Sequence, residues 1–333
     1  MKLGRISAAS PDGAIPRIVA VDPSADRVID LRRAHQLALE RRGASPGAAR
    51  RMSATVFPES MAEAIALGDL FPETAHDVVE QAGDDASIGL GEVAWLAPVD
   101  PPILRDALVF EEHLLSQFGR FNIEVPDQYY LAPVYYKGNP TTVVGHDAPI
   151  PWPYESTYLD YELEVGLVLG RSGVDLTPEE AEAHLFGVTI INDFSTRDIQ
   201  SREMIARLGP AKGKDFCTVL GPWITTLDEI VLDDLEMVAR VNGEEWSRGT
   251  TADMMWSPAE IIAYVSQFEP TVPGEVIGSG TVGGGCGSDL GRRLSPGDEV
   301  ELEVAGLGRL RNRVSDPQPA RWWPTPRERT TDG

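Results

Sequence analysis

The sequence contains few cysteines and no long apolar run. Cys217 and Cys286 are its only cysteines, and they form neither a CxxC motif nor a disulfide framework. This scarcity excludes a structural zinc site of paired thiolates and favours a reducing, cytoplasmic environment. No segment approaches the roughly 20 apolar residues of a membrane span, and the first residues lack the apolar run of a signal peptide. We therefore expect no membrane partner.

Positive charge is also scarce. The 29 lysines and arginines are outnumbered by 52 aspartates and glutamates, which leaves a formal net charge of −23. Such an excess of negative charge repels phosphates, so binding to nucleic acid or to anionic lipid is excluded as the main function. The 32 glycines and 26 prolines favour a loop-rich, β-rich α+β protein over a helical bundle.

A length of 333 residues is typical of two domains. Asp100, Pro101 and Pro102 interrupt the chain and mark a boundary. We predict a small N-terminal α+β domain over residues 1–102 and a β-rich domain over residues 103–333.

Helices of the second domain have recognisable beginnings. Thr177 and Ser257 each open a capping box with proline at the first helical position. The segment 104–117 also predicts a helix, and Ser195 is predicted to cap a helix that ends near Arg207.

Acidic and apolar residues alternate over the segment 158–165. Successive side chains of a strand point to opposite faces, so Asp160, Glu162 and Glu164 share one face. Burying even one uncompensated carboxylate costs several kcal/mol. The face therefore requires a positive partner, unless it is an ordinary strand face in contact with water.

Two further carboxylates can join Glu162 and Glu164. Asp193 stands at the end of a buried strand, where β-rich proteins often place ligands. Asp106 and His113 are two helical turns apart, so on the predicted helix they would lie on nearly the same face. The four carboxylates would form an all-oxygen set, which suits Mg²⁺, Mn²⁺ or Ca²⁺ better than zinc.

Five separated motifs carry a resemblance to a known family. They are Arg105-Asp106 with His113, Tyr161-Glu162-Leu163-Glu164, Asn192-Asp193-Phe194-Ser195-Thr196-Arg197-Asp198-Ile199-Gln200, Gly213-Lys214-Asp215-Phe216 and Gly278-Ser279-Gly280-Thr281. In this order and spacing they closely resemble the fumarylacetoacetate hydrolase family over about residues 103–315. The resemblance implies a mixed β-sandwich roll, a divalent metal, foremost Mg²⁺, on the four carboxylates, and a homodimer, as in many members.

The resemblance assigns His113 as the general base. A histidine with an ordinary pKa of about 6.5 can take a proton from water near neutral pH; a structural helix histidine is the alternative. In the family a glutamate pairs with this base, either three residues later or from a distant loop. Position 116 is Ser116, and the sequence identifies no other partner.

Four other residues receive roles from the resemblance. Lys214 would stabilise an oxyanion, because a lysine beside carboxylates stays protonated; a solvated loop lysine is the alternative. Gln200 would donate an amide hydrogen bond to a substrate carbonyl. Tyr136 and Thr281 would contact the substrate, Thr281 through its hydroxyl at a carboxylate. The role of Arg197 stays open.

These features predict a metal-dependent hydrolase that cleaves a C–C bond of an acylpyruvate or a fumarylacetoacetate-like diketo acid. Decarboxylation of a 2-oxo diacid such as oxaloacetate, and hydration or isomerisation of a 2-hydroxy-dienoate, are alternatives. A binding protein that has lost catalysis is the alternative outside the enzymes. Trp322 and Trp323 lie in a charged, proline-rich tail without a core of its own, so we expect the tail to pack on a second subunit.

Overall fold

The computed structural model describes residues 1–10 and 13–327. Residues 1–102 contain the strands β1 (Lys2–Ser10), β2 (Gly13–Asp22), β3 (Arg27–Asp30), β4 (Ser87–Gly89) and β5 (Ala94–Leu96), and the helices α1 (Leu31–Arg41), α2 (Pro46–Val56), α3 (Met61–Ile65) and α4 (Leu70–Glu80). Helix α1 begins after Asp30, whose side chain accepts a hydrogen bond from the Arg33 amide at 3.0 Å.

The remainder of the described chain is richer in strands. Its strands are β6 (Leu104–Ala107), β7 (Tyr135–Lys137), β8 (Val143–Val144), β9 (Pro149–Ile150), β10 (Leu159–Asp160), β11 (Leu163–Leu169), β12 (Leu185–Asn192), β13 (Ser195–Thr196), β14 (Thr218–Thr226), β15 (Glu236–Val241), β16 (Glu244–Thr250), β17 (Val276–Gly278), β18 (Glu299–Val304) and β19 (Gly308–Val314). Its helices are α5 (Glu111–Gly119), α6 (Gln128–Leu131), α7 (Pro178–Ala181), α8 (Arg197–Ile205) and α9 (Pro258–Val265). The predicted β-rich α+β class is confirmed.

Strands from both ends of the chain share one sheet. Within the described residues, twelve strands form it in the order β4-β3-β2-β1-β14-β12-β11-β17-β6-β7, with β5 paired to β1 and β8 paired to β14. A second sheet has the order β16-β15-β18-β19-β9. Because β1 pairs antiparallel with β14, with Leu3 opposite Ile224, the large sheet crosses residue 102. The domain boundary placed there stays a prediction.

Both faces of the large sheet are covered. The side chains of Val165 and Leu167 on β11 pack into a core shared with the second sheet. Val168 on the same strand belongs to the core beneath the N-terminal helices, with Phe57 and Phe71. The centre of the sheet is therefore shielded from water on both sides, as its continuous burial from Leu163 to Leu169 requires.

The predicted helix over residues 104–117 is wrong in its first half. Leu104–Ala107 is strand β6, which pairs in parallel with β17, and helix α5 begins only at Glu111. Leu104 and Ala107 have the spacing of a helical face, but pairing within the sheet decides their conformation. Asp106 and His113 consequently stand on different elements.

The predicted capping boxes at Thr177 and Ser257 are confirmed. The predicted cap at Ser195 is wrong, because Ser195 pairs with Asp160 in a short two-stranded ladder. Helix α8 starts two residues later and ends at Ile205. No helix in residues 1–10 and 13–327 is long and apolar enough to cross a membrane.

Arg105 on strand β6 forms a buried ion pair with Glu275. The Arg105 Nε atom is 2.6 Å from Glu275 Oε1, and both side chains are fully buried. Glu269 also binds the guanidinium. Replacing Glu275→Ala leaves a buried charge with one carboxylate partner, so we expect the free energy of unfolding to fall by about 3 kcal/mol. Urea unfolding followed by tryptophan fluorescence measures this loss.

The matched control is Glu245→Ala, which removes one of the two carboxylate partners of exposed Arg248 and leaves Glu236. Exposed pairs contribute little, so this variant should unfold at the wild-type urea concentration. An equally unchanged Glu275→Ala variant would contradict a stabilising role of the buried pair.

Candidate active site

Four buried carboxylates lie together at one end of the central strands. One carboxylate oxygen from each of Asp106, Glu162, Glu164 and Asp193 lies within 4.8 Å of the others. All four side chains are buried, and Glu164 is completely so. The structure thus brings together every residue of the predicted metal-ligand set.

Pairing in the sheet produces this convergence. Asp106 on β6 is the parallel partner of Gly278 on β17, and Gly278 is the antiparallel partner of Gly166 on β11. Glu164 precedes Gly166 by two residues and therefore points to the same face of β11. Asp193 follows β12, whose last residue pairs with Leu163. The carboxylates thus come from β6 and β11 and from the residues just before β11 and just after β12.

Gly278 leaves the space that the carboxylates occupy. A Cβ atom at this position would collide with a carboxylate oxygen of Asp106 and would lie 2.9 Å from Glu164 Oε2. A close approach of this kind requires glycine. The glycine-rich stretch that begins at Gly278 therefore belongs to the architecture of the site.

Two cations neutralise part of the cluster. Lys214 Nζ lies 2.5 Å from Glu162 Oε2 and is also hydrogen-bonded to Asp193 Oδ2. Arg197 Nη1 lies 2.8 Å from Glu162 Oε1. Burial alone would raise the pKa of Glu162, but these two cations hold it at about 2. Glu162 is therefore ionised, and Lys214 stays protonated because the carboxylates raise its pKa against the effect of burial.

The other side of the cluster lacks a cation among the described residues. Burial and the neighbouring carboxylates raise the pKa of Asp106 and of Glu164 well above their usual range. Glu164 Oε2 is buried and has no hydrogen-bond partner in the described part of the chain. A buried carboxylate oxygen of this kind needs either a proton or a cation beside it. An all-oxygen set with surplus negative charge fits a hard divalent cation such as Mg²⁺ or Mn²⁺.

The predicted substrate contacts also lie here. Tyr136 donates its hydroxyl to Asp193 Oδ2 at 2.7 Å, and burial raises its pKa well above the usual value, so it stays a donor. The Thr281 hydroxyl donates to Glu164 Oε1 at 3.2 Å. Gln200 on α8 accepts a hydrogen bond from Arg197. All three proposed residues thus border the carboxylates directly or through Arg197.

Asp289 pairs with His113, and the sequence analysis missed it. Asp289 Oδ2 lies 2.8 Å from Nδ1 of His113, and both side chains are buried. The hydrogen bonds from His113, Ser116 and Gln117 outweigh burial and lower the pKa of Asp289. Position 116 therefore carries a donor to the acidic partner instead of the acid itself. No local pattern in the sequence links Asp289 to His113, because the two residues are 176 positions apart.

Asp160 connects the carboxylate cluster to the loop that carries Asp289. Its carboxylate accepts hydrogen bonds from the amides of Gly287 and Ser288 at 2.8 and 3.0 Å, and from Arg197 Nε at 2.8 Å. It thereby anchors the loop that carries Asp289 to the arginine that binds Glu162. The acidic face of the strand supplies this link as well as two members of the carboxylate cluster.

Comparisons with known proteins agree with this architecture. The family model described as "Fumarylacetoacetate (FAA) hydrolase C-terminal" matches residues 103–315. The oxaloacetate tautomerase YisK of Bacillus subtilis (strain 168) is 31% identical over 269 residues, which cover 77% of this chain and 87% of that protein.

Solved structures share the fold over nearly the whole chain. The fumarylacetoacetate hydrolase from Exiguobacterium antarcticum matches with a TM-score of 0.70 and 27% identity, covering 95% of this chain and 99% of that chain. The maleylpyruvate hydrolase from Sphingobium sp. SYK-6, solved with manganese(II) and pyruvate, has a TM-score of 0.69 and 20% identity, covering 96% and 100%. The latter likeness concerns the fold alone. The fold implied by the sequence motifs is confirmed.

The carboxylate cluster generates a prediction about metal binding. Replacing Glu162→Ala or Glu164→Ala removes an oxygen donor and part of the negative charge that attracts a cation. Calorimetric titration with Mg²⁺ or Mn²⁺ should then show no tight binding, whereas circular dichroism should show a folded protein.

Glu111→Ala is the control, because Glu111 lies at the nearby start of α5 and is exposed outside the cluster. It should bind the metal as the wild type does. Wild-type affinity in both cluster variants would mean that these carboxylates hold no metal.

Proposed function

The chain belongs to the fumarylacetoacetate hydrolase family, and from this premise we propose that it is a divalent-metal-dependent enzyme that hydrolyses a C–C bond. The proposed substrate is an acylpyruvate or a related diketo acid. Members of the family are enzymes that act on small molecules. The single observation that carries the proposal is the buried His113–Asp289 pair beside the four carboxylates.

Asp106, Glu162, Glu164 and Asp193 would hold the metal, with Mg²⁺ as the first choice and Mn²⁺ as the second. When bound, a divalent cation supplies Lewis-acid polarisation of substrate oxygens and a template that orients the substrate. The maleylpyruvate hydrolase solved with manganese(II) is consistent with this type of cofactor.

His113 acts as the base. Asp289 is ionised and can only accept hydrogen bonds, so Nδ1 of His113 carries the proton between them. Nε2 of the neutral ring therefore holds a free lone pair, which can take a proton from water. The resulting hydroxide attacks the carbonyl carbon, the adjacent C–C bond breaks, and its electron pair passes to the leaving group as an enolate.

Lys214 and Tyr136 stabilise the charge that develops in this reaction. Lys214 is buried and protonated among carboxylates, so its fixed positive charge can stabilise an enolate that forms beside it. Tyr136 holds Asp193 by its hydroxyl and lies under the lysine, with Nζ 5.8 Å from its ring centre. Gln200, held beside Arg197, donates to a substrate carbonyl, and Thr281 binds a substrate carboxylate.

Proton transfer on oxaloacetate is the second candidate. The relative that is 31% identical over 77% of this chain is an oxaloacetate tautomerase. Keto–enol exchange needs a base and enolate stabilisation but no attack by water. Decarboxylation of oxaloacetate needs the enolate stabilisation alone. Hydrolysis and keto–enol exchange would therefore use both His113 and Lys214, and decarboxylation would use Lys214 alone.

The histidine distinguishes the two reactions that need a base, hydrolysis and keto–enol exchange, from decarboxylation, which needs none. A positioned general base typically contributes about 10²–10⁴-fold, so His113→Ala should lower kcat on an acylpyruvate by such a factor. Metal affinity should stay near that of the wild type, because His113 is not one of the four carboxylates. Asp289→Asn, which removes the acceptor that fixes the ring, should also lower kcat. A steady-state assay with Mg²⁺ or Mn²⁺ measures both.

Lys214→Ala should slow the turnover of acylpyruvate and oxaloacetate alike, since both pass through an enolate. A His113→Ala variant that cleaves acylpyruvate at the wild-type rate would remove His113 as the base. If wild-type protein left acylpyruvates intact but tautomerised oxaloacetate, the second candidate would replace the first.

We also propose a homodimer to which the C-terminal tail contributes. Trp322 is 76% exposed in the single chain and Trp323 is 37% exposed, and the surrounding residues 315–327 form no helix or strand. Large exposed aromatic side chains often mark protein interfaces. We expect light scattering at micromolar concentration to give the mass of a dimer. Replacing both tryptophans by alanine should weaken the association of the two subunits.

Phe268→Ala is the control for this variant, because Phe268 is 93% exposed and lies outside the tail. A wild-type chain that is monomeric at micromolar concentration would contradict the proposed assembly.

A further inference from the structure

A second group of metal ligands lies next to the carboxylate cluster. One nitrogen of His113, the sulfur of Cys286 and a carboxylate oxygen of Asp289 lie within 4.8 Å of one another. Cys286 is completely buried, and the side chains of His113 and Asp289 are 5% and 3% exposed. The group therefore combines three different donor elements in a site shielded from water.

Gln117 contacts the carboxylate and the sulfur of this group. Gln117 Nε2 lies 2.6 Å from Asp289 Oδ1, 3.0 Å from Ser288 Oγ and 3.9 Å from Cys286 Sγ. One amide thus serves a carboxylate, a hydroxyl and a sulfur.

The donor chemistry differs from that of the carboxylate cluster. Zinc binds imidazole nitrogen at about 2.0–2.1 Å, thiolate sulfur at about 2.3 Å and carboxylate oxygen at about 2.0–2.2 Å. Mg²⁺ prefers oxygen ligands and has little affinity for sulfur. We propose that His113, Cys286 and Asp289 form a zinc-binding site that switches the enzyme off while Mg²⁺ remains on the carboxylates.

Inhibition follows from the protonation of the imidazole, and this step rests on the proposed role of His113 as the base. Asp289 holds the ring with its proton on Nδ1, which leaves Nε2 free to accept a proton. A zinc ion on Nδ1 displaces that proton, and the neutral ring then carries its hydrogen on Nε2. The thiol of Cys286 releases its proton to solvent when the sulfur binds the metal. Zinc binding thus removes the lone pair that the reaction needs.

Cobalt(II) provides a direct probe of the thiolate ligand. Wild-type enzyme saturated with Mg²⁺ is titrated with Co²⁺, and a thiolate-to-cobalt charge-transfer band in the near ultraviolet should appear and vanish again on adding Zn²⁺. Cys286→Ala should lack the band. Cys217→Ala is the matched control, because Cys217 is equally buried but lies outside the group, and it should keep the band.

Zinc inhibition is measured on the same proteins with Mg²⁺ held in excess. Cys286→Ala should raise the zinc concentration needed for inhibition by at least about 10–100-fold. This is the loss of metal affinity that usually follows removal of a residue that only supports a metal ligand. Cys286→Ser tests the same ligand with a smaller change of shape. A band that persists without Cys286, or equal zinc sensitivity in all variants, would overturn the site. A Cys286-dependent band in an enzyme that zinc leaves active would support the metal site and contradict the role of His113 as base.

Discussion

The burial of four carboxylates in one small volume is the constraint on which the rest of the site depends. Like charges at such short distances repel strongly once water is excluded. Lys214 and Arg197 neutralise the part of the cluster around Glu162. The part around Asp106 and Glu164 has no cation in the described chain, and burial together with the neighbouring carboxylates raises the pKa of both carboxyls. This asymmetry makes the cluster suited to a divalent cation on one side and to a protonated lysine on the other.

The large sheet supplies the rigidity that such a cluster needs. Its central strand β11 packs against the second sheet on one face and against the N-terminal helices on the other. Glu164 therefore sits on a strand that cannot move away from its neighbours. Gly278 leaves room for two carboxylates between adjacent strands. Close packing of this kind holds like charges close together, whereas the same charges on a flexible loop would move apart.

The glycine-rich loop connects the proposed base to the carboxylates. Cys286 forms a β-bridge with Glu162, and the next two amides bind Asp160. Asp289 follows immediately and orients His113. One short segment thus fixes the position of the base relative to the carboxylate cluster. The same segment carries Cys286, whose sulfur completes the proposed zinc site with His113 and Asp289.

The sequence by itself identified Glu162 and Glu164, because acidic and apolar residues alternate around them, although only Glu164 lies within a regular strand and Glu162 lies just before it. It identified Asp106 and His113 from their motif but placed them on one helix, since the spacing of apolar residues over 104–107 does not distinguish a helix from a paired strand. Asp289 could not be assigned, because it lies 176 positions from His113 and only the folded loop brings them together. The joining of the N-terminal strands to the central sheet was likewise decided by tertiary structure, because strand partners distant in sequence leave no local pattern.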